Sequence, residues 1–279
     1  MKKWLSVFIF MFLPMPAQAW EQTMTCYDEY SCGEYESLPT FWEQPCITFH
    51  LNENGTQQIP FKDVENTVQK SVQAWIHPKI SSLQPHFSGL TNEDRIGYNP
   101  YISDNANIIV FRDENWQDSR SMMALTTVTH HNGTGYIYDA DIEINTTHWN
   151  FGIVETPEDD FVDLENTLTH EIGHVFGLAH SGDVDATMFA FAAEGMTNLR
   201  TLEQDDLDAI ANIYPPSSQI CTFKNDYFER PPYEMNEGPA PDSCSTNTRV
   251  PSNIFNIYLW LAALGILYFG RKWISQIKA

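Results

Sequence analysis

The chain has 279 residues, of which 15 are Lys or Arg and 37 are Asp or Glu, for a formal charge of −22 at pH 7. A field of that sign repels nucleic acid and anionic lipid and attracts cations, which excludes a nucleic-acid partner and favours ions such as Ca2+. The length suits one medium-sized catalytic domain with appendages.

Residues 1–19 have the layout of a secretory signal: Lys2 and Lys3, an apolar run from Trp4 to Leu13 too short to span a bilayer comfortably, and the small-x-small triplet Ala17-Gln18-Ala19. Cleavage would leave Trp20 first, and export places the five cysteines in an oxidising space. Cys26 with Cys32, and Cys221 with Cys244, are close enough for small loops, leaving Cys46 over, although spacing does not determine connectivity. Residues 20–37 make a short N-terminal segment, too short for a folded propeptide.

The next stretch, residues 38–215, reads as the folded domain. Cys46-Ile47-Thr48-Phe49-His50-Leu51-Asn52 alternates and is β-branched or aromatic, which predicts a strand before a turn at Asn54-Gly55. Val64, Val68, Val72 and Trp75 recur at three- and four-residue steps, the apolar face of a helix. Residues 107–111 predict a buried strand, and residues 123–129 and 135–145 two more, joined by a turn at Asn132-Gly133. On the last of these Asp139, Asp141 and Glu143 share one face, where three carboxylates are able to hold Ca2+ or simply face solvent. His50, His77 and His86 lack ligand spacing and read as ordinary satisfied or solvated histidines.

The most informative stretch is His170-Glu171-Ile172-Gly173-His174-Val175-Phe176-Gly177-Leu178-Ala179-His180. On a helix His170 and His174 stack on one face, so that both imidazoles can take one metal ion. Gly177 permits a positive-φ turn that ends the helix and brings back His180 as a third nitrogen ligand. Three neutral imidazoles leave the fourth position of Zn2+ open for water, as a catalytic site requires, and Glu171 stands beside it as a proton acceptor. Val162, Leu164, Leu168, Ile172 and Val175 give this helix its apolar side, with Asp160 or Asp163 as N-cap. Thr201 with Gln204 fits a capping box for a closing helix running to about Tyr214.

Beyond Pro215-Pro216, residues 216–252 are rich in Pro, Ser, Asn and charge without periodicity and read as a stalk. Residues 253–270 are almost wholly apolar and near the ~17-residue lower limit for a bilayer-spanning helix. The basic tail 271–279, opening with Arg271-Lys272, favours a cytoplasmic C-terminus. The expected topology is single-pass, with the folded domain periplasmic or extracellular, unless the apolar segment is instead removed as a sorting signal.

The long histidine motif followed by Ala186-Thr187-Met188-Phe189-Ala190 resembles the metzincin zinc metallopeptidases, whose motif precedes a methionine-containing turn. Ser181 after the third histidine, and the stretch 201–210, resemble the matrixin branch, here of the bacterial kind. The resemblance covers roughly residues 38–215 and implies an α/β (α+β) fold: a twisted mixed sheet, an active-site helix and a C-terminal closing helix. It implies a zinc-dependent endopeptidase acting on protein or peptide substrates, with His170, His174 and His180 as zinc ligands, Glu171 as general base and Met188 below the metal. Ala190 stands where related branches place a tyrosine, so no tyrosine ligand is implied. A substrate-pairing edge strand is implied at 123–129 or 135–145. His130 and His131 lack the spacing of the matrixin structural zinc site. Cys32-Gly33 only faintly resembles the propeptide cysteine element of latent matrixins, and ordinary disulfides are the reading adopted.

Overall fold

The protein was analysed as a computed structural model that describes residues 18–26, 36–102 and 105–223. Most of the signal segment, Cys32, Cys244, nearly all of the stalk, the apolar segment 253–270 and the basic tail lie outside the described residues. Among the described residues, no helix is long and apolar enough to cross a membrane.

The elements run β1 (Cys46–Asn52), α1 (Phe61–Ala74), β2 (Gln84–Thr91), β3 (Asn107–Phe111), β4 (Ala124–His130), β5 (Ile137–Ile144), the two-residue strands β6 (Phe151–Gly152) and β7 (Val162–Asp163), α2 (Leu164–Val175) and α3 (Gln204–Ile213). A short 3-10 turn at Asn198–Arg200 precedes α3. The main sheet has the order β2-β1-β3-β5-β4. Its first four members are parallel and β4 is antiparallel to β5. The expected α/β architecture is therefore present, with a mixed sheet, an active-site helix and a closing helix. β2 had no counterpart in the sequence reading: Pro85 and Gly89 interrupt it, and its outer half is largely exposed, which erases the alternation that marks the other strands.

The core forms where α1 and α2 pack on the sheet. Val64, Val68 and Val72 of α1, Ile47, Phe49 and Leu51 of β1, and Leu164, Leu168, Ile172 and Val175 of α2 belong to one buried cluster. Phe176 at the end of α2 stands edge-on to both Phe49 and Trp75, and the Trp75 indole donates to the Thr169 carbonyl at 3.0 Å. This bond ties α1 to the first turns of the histidine helix while the ring stays apolar-packed.

Two expectations are corrected. Cys221 pairs with Cys46 and not with Cys244, because the segment after α3 returns beside β2, where the Cys221 N–H donates to Gln84, the cross-strand neighbour of Cys46. Cys26 is also disulfide-bonded. The capping box of α3 is closed by Glu203 and Asp206, not by Thr201 and Gln204. Thr201 is still extended after the 3-10 turn, and the N-cap falls at Glu203, so the helical backbone begins two residues later than that pairing needs.

Candidate metal centre

The centre is built on α2. Asp163, the last residue of β7, is the N-cap, and its Oδ1 accepts the Asn166 N–H at 2.8 Å. The same carboxylate is gripped by Arg200 through Nε (2.8 Å) and Nη2, and it also accepts the Val154 N–H. At the other end the helix closes in a Schellman arrangement: Leu178 N–H reaches the Gly173 carbonyl (3.2 Å) and Gly177 N–H the His174 carbonyl (2.9 Å). Gly177 has φ +87°, and a Cβ there would strike the Thr40 carbonyl, so glycine is required both by conformation and by space. The last carbonyls are also served: Val175 by the Trp42 indole (2.7 Å) and Phe176 by the Tyr214 hydroxyl (2.8 Å). The turn sends the chain back past residues 21–23, where Ala179 N–H donates to the Glu21 carbonyl and Thr23 N–H to that of Gly177.

The result is convergence. His170, His174 and His180 bring one nitrogen each to within 4.8 Å of one another, the one such group of three or more His, Cys, Asp or Glu among the described residues. Nε2 of His170 and Nε2 of His174 are 3.2 Å apart, close to the ~3.3 Å expected of two nitrogens each 2.0–2.1 Å from one tetrahedral zinc ion. The Nδ1 atoms face away: that of His170 donates to the Thr187 carbonyl at 2.7 Å and that of His174 to the Leu178 carbonyl at 2.8 Å. A carbonyl can only accept, so each ring carries a proton on Nδ1, which leaves Nε2 as the nitrogen able to bind a metal. Burial, then repulsion by His170, pushes His174 down to about 4, and burial, then repulsion by His174 and His170, pushes His180 down further. Both rings are therefore neutral at pH 7. Neutral bases with outward Nδ1–H groups and converging Nε2 atoms fit a zinc ion and fit calcium poorly, since calcium takes oxygen.

Met188 is buried in a turn closed by the Phe189 N–H to Ala186 carbonyl bond. A Cβ on Gly173 would meet the Met188 sulfur and the Trp75 ring, so Gly173 is what lets the methionine turn sit against the helix between the two helical histidines. Asp206 of α3 fastens the turn from behind, accepting N–H groups from Thr187 (2.8 Å), Met188 (3.0 Å) and Glu203 (2.9 Å). Next to it, Asp205 accepts the Ser181 hydroxyl (2.6 Å) and the N–H groups of Ala19 and Trp20. Asp206, Arg200 and Gly173 were not singled out as site-forming residues. An acidic pair after a capping position was the one visible signal for Asp206, and Arg200 carried none.

Glu171 lies 7% exposed beside the histidines, and its carboxylate Oε2 accepts the Thr126 hydroxyl of β4 at 2.6 Å. Asp139, Asp141 and Glu143 lie on β5 and are not part of the histidine group. Asp141 accepts the Ile108 and Gly97 N–H groups, and burial with the neighbouring Asp139 pushes its carboxyl well up. Glu143 is spent on Arg112 at 2.6 Å.

Comparison with known proteins agrees with this geometry. The sequence profile of the matrixin family matches residues 41–215. The chain is 27% identical over 195 residues to matrix metalloproteinase-18 of Xenopus laevis, covering 68% of this chain and 37% of that protein. It is 24% identical over 206 residues to interstitial collagenase of Bos taurus, covering 70% and 39%. It is 39% identical over 62 residues to metalloendoproteinase 1 of Glycine max, covering 22% and 20%. The chain thus spans at most 39% of the length of these curated relatives.

Proposed function

The chain belongs to the matrixin family, and from that premise we propose that it is a zinc-dependent endopeptidase that hydrolyses peptide bonds of extracytoplasmic proteins. The observation that carries this reading is the convergence of three imidazole nitrogens beside a carboxylate that is not itself part of the converging set. His170, His174 and His180 would hold the zinc. When bound, the ion supplies Lewis-acid polarisation of the scissile carbonyl and makes water acidic enough to react near neutral pH.

Glu171 is the general base and then the general acid: it takes a proton from the attacking water and passes it to the leaving amine. Met188 supports the floor of the site through Gly173. β4 is the outer strand of the sheet on the Glu171 side, which supports the role of a rail on which extended substrate is held by main-chain hydrogen bonds. Of the two segments considered for that role, 123–129 is favoured, because β5 is covered on both sides by β3 and β4.

The signal layout of residues 1–19 and the Cys46–Cys221 disulfide support an oxidising compartment outside the cytoplasm. The stalk 216–252 and apolar segment 253–270 support a tether with the catalytic domain outside and residues 271–279 inside.

The test is to purify the full chain, measure its zinc content, and profile cleavage of a peptide library with and without chelator. About one zinc per chain and chelator-sensitive cleavage restored by added zinc are expected. Zinc-free protein with chelator-resistant cleavage would overturn the reading.

A further inference from the structure

We propose that Thr126 is a positioning residue that aims the Glu171 carboxylate, a role that rests on Glu171 being the general base. Thr126 stands in the middle of β4, paired with Ile142 of β5, and its side chain faces α2. Thr126 is 5% exposed and Glu171 7%, so bulk water does not solvate this contact freely. The Thr126 Oγ1 lies 2.6 Å from Glu171 Oε2 and 3.2 Å from the Glu171 main-chain oxygen. A hydroxyl has one proton to give, and the shorter contact, to the acidic oxygen, takes it.

A glutamate side chain has three rotors, the last of them broad, so a carboxylate with no fixed partner spreads over many orientations. It also resists burial as an anion unless a donor meets it. Thr126 answers both demands with one bond. Among the described residues it is the one donor to this carboxylate, which leaves Oε1 without a protein partner and available to a water proton. Threonine suits the task better than serine, because branching at Cβ restricts χ1 and holds the hydroxyl toward the helix. The sheet is thereby linked to the chemistry: the strand that supports substrate also sets the direction of the base.

The experiment uses the full zinc-loaded chain with Thr126→Val, which keeps shape and removes the donor, and Thr126→Ser, which keeps the donor. Thr126→Val is expected to lower kcat on the order of 10- to 100-fold, as misplacing a reacting group does, with KM and zinc content unchanged. Thr126→Ser should restore kcat to within a few-fold of the parent. A Thr126→Val enzyme with kcat within twofold of the parent, or a Thr126→Ser enzyme as slow as Thr126→Val, would overturn the role. Crystal structures of the parent and Thr126→Val proteins with zinc bound supply a second readout that needs no turnover. The Glu171 carboxylate should turn away from its parent position in the variant, and an unchanged carboxylate overturns the proposal. If the zinc-loaded parent cleaves no peptide, the peptidase reading fails, while this structural comparison still decides what Thr126 does.

Discussion

Gly173 and His174 are adjacent and carry opposite demands, one for emptiness and one for neutrality. The absent side chain of Gly173 is filled by the Met188 sulfur and the edge of Trp75. Gly173→Ala should therefore push the methionine turn off the helix and cost about 1–3 kcal/mol by overpacking. A urea midpoint equal to the parent's would show that the turn can yield. His174 is held down to about 4, first by burial and then by His170, against an ordinary value of 6.5. The folded state thus binds fewer protons than the unfolded chain between those values. That stability is complete above pH 6.5 and is lost as pH falls toward 4. In metal-free protein the loss from pH 7 to pH 5 is about 2 kcal/mol from His174 alone. His180, His50 and His130 shift in the same direction, while Asp141, pushed up, acts in the opposite sense. An NMR titration of the metal-free protein in which the His174 ring protonates at the ordinary value of 6.5 would contradict its neutrality at pH 7. At this scale the convergence was legible where spacing along one helix and one turn defines it, as for His170, His174, Gly177 and His180, while Met188 followed only from the family resemblance. Thr126 was illegible because its partner is 45 residues away and the approach exists only after β4 docks on α2.

The histidine helix depends on a cap that is itself held. Asp163 caps α2, and Arg200 from the 3-10 turn supplies two donors to its buried carboxylate and one to the Val154 carbonyl. Arg200→Ala leaves a buried anion with only backbone donors, a change expected to cost about 3 kcal/mol or more. Thermal denaturation of the metal-free variant checks this, and a melting temperature within a degree of the parent's would show the pair to be dispensable. The cap could be anticipated only as Asp160 or Asp163, and Val162, read as part of the helix's apolar side, belongs instead to β7. The cap's ion pair could not, because 37 residues separate the partners. The start of α3 was misplaced for a related reason. Several polar residues in 201–206 can each begin a helix, and the choice falls to Asp206 because the methionine turn needs its carboxylate.

Across the whole molecule, the Cys46–Cys221 bond closes a loop with a sequence separation of 175, joining the first strand of the sheet to the segment beyond α3. In chain-entropy terms such a loop constrains the unfolded chain by up to about 5 kcal/mol. Replacing both cysteines by serine should lower the melting temperature by several degrees or more while leaving zinc content intact. An unaltered transition would mean that α3 and Tyr214 hold this end unaided. Sequence distance concealed the pairing, since nearness along the chain favoured Cys244 and the return of the chain beside β2 is a property of the assembled sheet. The central claim is that this assembly places one metal ion and one proton carrier at a single point, with separate residues for each task. Glu171→Ala tests it most directly, through zinc stoichiometry and peptide turnover measured on the same sample. The account predicts bound zinc equal to the parent's with turnover reduced by at least about a hundredfold; wild-type turnover, or loss of the zinc, would contradict it.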